Sequence, residues 1–205
     1  MDIELTIYNQ SNDVNNSNIV ILQKNVAVNL GELSIAWKVI KNLAIGNYHP
    51  LIYAYTVQVS AVDAWGNFTP QITAEPGQQY SMYHTNSGST FGRTGMSTNS
   101  NELEIRNELR KGSITANVFR TGRLVAQKTL IAPQQKAVFA FQPVIWIGAI
   151  AQVEEGKAID SAILSSINTE ISLIGISKAD IVMRGGGGGP QATAFTFSLE
   201  NIVKI

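Results

Sequence analysis

Apolar and polar residues alternate along most of this chain with a period of two, and residues 55–62 show the pattern at its cleanest. Tyr55, Val57, Val59 and Ala61 fall on one face and Thr56, Gln58 and Ser60 on the other, as in a strand with one face buried. The same reading predicts strands over 3–8, 18–24, 32–40, 78–83, 102–109, 113–119, 124–131, 137–141, 144–153, 181–183 and 195–202. Turn residues separate nearly all of them, with Gly66 in "DAWGNF" and Gly122 in "FRTGRL" at hairpin tips.

Residues 158–176 carry two periods at once. Ile159, Ile163, Ile167, Ile171 and Gly175 stand four apart and would form a stripe on a helix, yet the segment is rich in Ile, Ser and Thr, and "NTEISLI" alternates. β-branched residues lose rotamer freedom on a helix and favour strands. This predicts a strand over 165–174 and one short helix over 157–164.

About a dozen short strands with polar turns predict an all-β chain. Exposed alternating faces need a partner, so the expected architecture is a two-sheet antiparallel β-sandwich forming a single domain over 1–205, with a β-barrel as the alternative. Two stretches, 57–83 and 117–141, share a β segment, a glycine turn, a second β segment and a proline-glutamine turn. Turn chemistry alone can produce that likeness, so it stands beside a duplication as a second explanation.

Charge changes the picture because there is little of it. The 15 basic and 15 acidic residues cancel, and only 15% of residues are charged, against roughly a quarter in ordinary soluble domains. Amides fill the gap, with 17 Asn and 12 Gln. Zero net charge gives no field that would steer nucleic acid, and it weakens colloidal repulsion, so self-association is the first functional expectation. The subunit of a filament, shell or inclusion body would have this composition.

Several chemistries are excluded or poorly served. There is no cysteine, which removes disulfides and thiol catalysis. His49 and His84 have no histidine or carboxylate close by in sequence, and "GMSTN" is the nearest approach to a nucleophile elbow. Glu154 and Glu155 would point to opposite faces of a strand. No enzymatic activity, catalytic residue or cofactor is expected. Asp13, Asn15 and Ser17 have the first spacings of a calcium loop, but Asn18 stands where its glycine belongs and Lys24 where its bidentate glutamate belongs. The asparagine-rich stretch 9–18 therefore reads as a turn and not as a metal site. The longest apolar run, 144–151, is far short of the roughly 20 residues a membrane helix needs. The start "MDIELTIYNQ" has neither a basic nor an apolar leader region, so the expected location is cytoplasmic, or outside by a route without a signal peptide.

Three stretches exceed a plain scaffold. The turn "DAWGNFT" places Asp63, Trp65 and Asn67 at one tip, where an aromatic face beside a carboxylate and an amide suits a glycan or a lipid headgroup. The competing reading folds Trp65 back over the end of the core, since tryptophan is usually well buried. Residues 84–101 have few apolar anchors and read as a long loop, of the sort used in binding or, in a toxin-like protein, as a hairpin that joins a membrane barrel. The glycine run 185–189 lacks the lysine and helix of a phosphate loop, so it reads as a backbone lying close to another chain. On the assembly reading, Ser97, Gly185, Gly187 and Gly189 are its expected contacts.

Overall fold

The computed structural model describes residues 2–27 and 34–205. In chain order the strands are β1 (Ile3–Asn9), β2 (Asn18–Leu22), β3 (Lys38–Ile40), β4 (Tyr48–Tyr53), β5 (Val57–Val62), β6 (Ile72–Ala74), β7 (Gln78–Thr85), β8 (Gly88–Met96), β9 (Leu103–Asn107), β10 (Ile114–Arg120), β11 (Arg123–Ile131), β12 (Lys136–Phe139), β13 (Val144–Ile150), β14 (Thr169–Ser172), β15 (Ile176–Gly186) and β16 (Thr193–Lys204). A short α-helix, α1 (Ser161–Leu164), precedes β14, and a 3-10 turn (Gly189–Gln191) lies between β15 and β16.

The expected two-sheet sandwich is wrong, and so is its barrel alternative. The strands form four separate four-stranded sheets, in the orders β16-β15-β1-β4, β14-β13-β2-β3, β11-β10-β5-β6 and β12-β9-β7-β8, and none closes on itself. Alternation reports which face of a strand is buried but not which strand lies beside it, so the number of sheets was not readable from it. All pairs are antiparallel except β1 with β15 and β7 with β9, which are parallel. The chain divides into two compact units, one holding β1–β4 and β13–β16, the other β5–β12.

Three strands escape the alternation. β4 contains Pro50, which cannot donate to a ladder, and it lies at a sheet edge where that donor is not needed. β6 has only three residues. β8 is rich in glycine and hydroxyl residues and pairs along its length with β7, so most of the supposed loop 84–101 is a hairpin. The predicted strand 32–40 is realised as β3, while residues 32 and 33 lie outside the described residues.

In the first unit, β1 buries Ile3, Leu5 and Ile7 on alternate positions, as its pattern requires. β2 buries Ile19 to Leu22 on both faces. One of those faces is covered by the segment that carried two periods: Ile159 and Ile167 join Val20, Leu22 and Ala36 in one cluster, with Ile163 and Leu164 packed against it. Asp160 caps the helix by accepting a hydrogen bond from the Ala162 N–H at 2.8 Å, and the stripe then gives way to β14. Gly148 in β13 makes this approach possible, because a Cβ there would lie 2.7 Å from the Ser166 carbonyl oxygen. The Trp37 and Tyr53 rings meet edge to face at 6.0 Å, beside β3 and in β4 respectively, which ties the unit's two sheets together.

In the second unit, β5 buries Val57, Val59 and Ala61, the face predicted for them, and Ser60 on the other face is buried as well. Tyr55, assigned to the same face, precedes the strand and is exposed.

Candidate functional site

The turn between β5 and β6 is built by Asp63. One carboxylate oxygen accepts hydrogen bonds from the backbone N–H groups of Trp65 and Asn67, each at 2.9 Å, and the other accepts from the Asn67 side-chain amide at 2.9 Å. Burial works against the charged form of Asp63, but the bonds from the Asn67 side chain and from the backbone of Asn67, Trp65 and Gly66 outweigh it and hold the carboxyl below its ordinary value. Two of the three predicted binding residues, Asp63 and Asn67, thus build the turn, with the Asp63 carboxylate and the Asn67 amide nitrogen committed to it. Below them, the Thr69 hydroxyl accepts from the Ala61 N–H at 2.9 Å and the Thr69 N–H donates to the Ala61 carbonyl at 3.0 Å, which closes the base of the turn.

The consequence is a presented tryptophan. Trp65 is 83% exposed and Phe68 is 78% exposed, so Trp65 does not fold back over the core. Next to them runs a groove of about 540 Å³ whose far wall is the β7–β8 hairpin, with His84, Ser89 and Phe91. Phe91 is held by stacking on Tyr80, centroids 6.1 Å apart. Burial pushes the Tyr80 phenol up from its ordinary value, against the opposing Arg93 charge, and its hydroxyl donates to the Thr73 carbonyl at 3.1 Å. Phe68, Phe91 and the β8 hydroxyls were not singled out by the sequence, because the aromatic residues stand far apart in it.

His84 Nδ1 lies 3.3 Å from the Ser89 hydroxyl oxygen. Among the described residues no carboxylate orients that imidazole, so the contact lacks the third group of a nucleophile-base relay. No group of three His, Cys, Asp or Glu among the described residues could hold a metal ion. The Asp13 carboxylate accepts from the N–H groups of Asn15 at 2.9 Å and Ser17 at 2.6 Å, which is the turn role expected for the asparagine-rich stretch.

The other predicted contacts lie elsewhere. Ser97 ends the β7–β8 hairpin, where its N–H donates to the Gly77 carbonyl at 2.8 Å and its hydroxyl bonds the Asn99 carbonyl. Gly185 lies near the end of β15, while Gly187 and Gly189 belong to the connection from β15 to β16. The backbone that approaches Gly185 is this chain's own, since a Cβ there would stand 2.1 Å from the Ala194 carbonyl oxygen. No helix among the described residues is long and apolar enough to cross a membrane. The chain matches no protein family, no curated protein and no solved structure.

Proposed function

We propose that this protein is a non-enzymatic binding protein that takes a glycan on the face of Trp65, beside Phe68 and the groove. The observation that carries this reading is the 83% exposure of a tryptophan whose turn is fixed by five hydrogen bonds to or from Asp63 and Asn67. An indole held out in water leaves apolar surface uncovered, at a cost of roughly 25 cal/mol per Å², and a sugar's apolar face covers it while the neighbouring hydroxyl and amide groups take its polar edge. A glycan array with a liposome pull-down in parallel tests this. Trp65→Ala is expected to weaken glycan binding at least tenfold with the circular dichroism unchanged, a loss of about 1.4 kcal/mol. Undiminished binding by that variant would remove the turn from consideration, and binding to liposomes alone would assign it to a lipid headgroup.

A second reading, self-association as a structural subunit, is favoured by β16. Among the described residues this strand of 12 residues is hydrogen-bonded only to β15, which leaves its outer edge unpaired there, and Ile202, Val203 and Ile205 are exposed at its end. An unpaired edge with few charges is a template for another chain. Light scattering near the sequence pI of 6.7 should show assemblies that Ile202→Lys disperses while leaving the fold intact. A chain that stays monomeric at high concentration would refute it.

A further inference from the structure

The four sheets are two sheets drawn twice. Replacing each of β1–β8 by the strand eight places later turns the order β8-β7-β9-β12 into β16-β15-β1-β4, and β6-β5-β10-β11 into β14-β13-β2-β3, once the chain is read cyclically. The single parallel pair falls at the same place in each, β15 with β1 and β7 with β9. Register agrees to the residue. Asn9 stands opposite Met183 and Asn107 opposite Met82, while those methionines stand opposite Phe197 and Phe91.

The detail at the two asparagines argues against coincidence. Both are buried, at 4% and 0% exposure. The Asn9 side-chain oxygen accepts from the Ser11 N–H and its amide donates to the Leu43 carbonyl; that of Asn107 accepts from the Leu109 N–H and donates to the Ile131 carbonyl. Their backbones repeat the match, Asn9 N–H to Asn47 at 3.0 Å against Asn107 N–H to Gln135 at 2.9 Å, and Gly46 N–H to Asn9 against Gln134 N–H to Asn107, both 2.7 Å. The left-handed residues before the next strand also coincide, Asn42 with Leu130 at φ 56° and 57°, and Gly46 with Gln134 at 83° and 66°. A left-handed leucine costs roughly 1–2 kcal/mol, so Leu130 holds at that cost a conformation that asparagine adopts readily at the matching Asn42. The likeness of 57–83 to 117–141 is a different matter, since β7 is interior to its sheet and β12 is an edge.

We propose that the chain is a tandem duplication of one eight-strand repeat, β1–β8 and β9–β16, whose halves have exchanged four-strand blocks. Each compact unit combines the first block of one repeat with the second block of the other: β1–β4 with β13–β16, and β9–β12 with β5–β8. The blocks meet along two strand seams, β1 with β15 and β2 with β13, repeated as β9 with β7 and β10 with β5. A block without its complement leaves two apolar strands, among them β2 with the sequence NIVIL, unpaired on one edge. The partner that this seam fits is therefore the complementary block of a second copy of this chain, by the mechanism of domain swapping. This deepens the self-association reading and does not use the β16 edge.

The test uses the full chain. A protease recognition sequence inserted between Asn99 and Ser100, in the exposed turn that joins the repeats, allows the folded protein to be cut in two. Both fragments should remain one particle with the mass of the uncut chain and separate only in denaturant; separation into two folded halves under native conditions would overturn the exchange. For the second copy, one chain carrying Thr6→Cys is refolded with another carrying Asp180→Cys, positions that face each other across the β1–β15 seam in a protein with no other cysteine. A disulfide-linked heterodimer is expected, and it should persist in the Ile202→Lys background, which disables the edge route. Its absence, with the single-chain double variant cross-linking internally, would refute exchange between copies.

Discussion

Asn9 and Asn107 show how much one residue type can carry. Asn107 is fully buried, and its amide donates to the Gly112 and Ile131 carbonyls at 2.9 Å each while its oxygen accepts from the Leu109 N–H at 3.0 Å. Removing that side chain strands two buried backbone groups, the Ile131 carbonyl and the Leu109 N–H, each costing about 1–3 kcal/mol. Asn107→Ala should therefore lower stability by on the order of 3 kcal/mol. Hydrogen exchange should show the opening confined to β5–β12 for Asn107→Ala, and to β1–β4 with β13–β16 for Asn9→Ala. Exchange unchanged in both would mean the amides are dispensable. Neither residue stands out in the sequence, where asparagine is abundant and reads as turn chemistry. "LTIYN" and "LEIRN" share Leu, Ile and Asn at Leu5–Asn9 and Leu103–Asn107, and that is the signal by which the pair could have been found.

At the scale of elements, β9 and β12 are joined by a charge pair inside their sheet. Lys136 Nζ lies 2.7 Å from Glu104, whose side chain is 1% exposed while that of Lys136 is 33% exposed. Burial raises the Glu104 carboxyl, but hydrogen bonds from Lys136 and from Thr98, with the lysine charge, outweigh it and hold the carboxyl below its ordinary value. A carboxyl lowered in the folded state stabilises fully above its unfolded value and loses that contribution as pH falls through the folded one. The β5–β12 unit should accordingly weaken below about pH 4. Lys136→Met should raise the acid midpoint and reduce neutral stability by about 2 kcal/mol, less than for a fully buried pair because water screens the lysine. Acid titration of wild type and variant by circular dichroism checks both, and coincident midpoints would contradict the pairing. Elements with plain alternation, β1 and β5 above all, were legible in advance. β4 and β8 were not, because an edge strand tolerates proline and a hairpin arm with one solvated edge tolerates glycine.

At the scale of the whole molecule, exchange makes distant parts of the chain depend on each other. Glu4 pairs with Lys178 and Tyr8 with Val182, so the first unit is complete only after most of the chain exists. Contacts of such separation close long loops before they are rewarded, which makes folding slow relative to a helical protein of this size. The sequence by itself determined that the chain is built of strands, which faces of many of them are buried, where most turns fall, and that thiol chemistry is absent; each follows from a residue's type and its immediate neighbours. Only the tertiary structure decided that there are four sheets, that Trp65 is presented and not packed, and that β1–β4 join β13–β16 in one unit while β5–β12 form the other. Strand pairing runs through backbone groups that are the same in every residue, and it joins positions more than a hundred residues apart. A local pattern therefore carries no label for the partner.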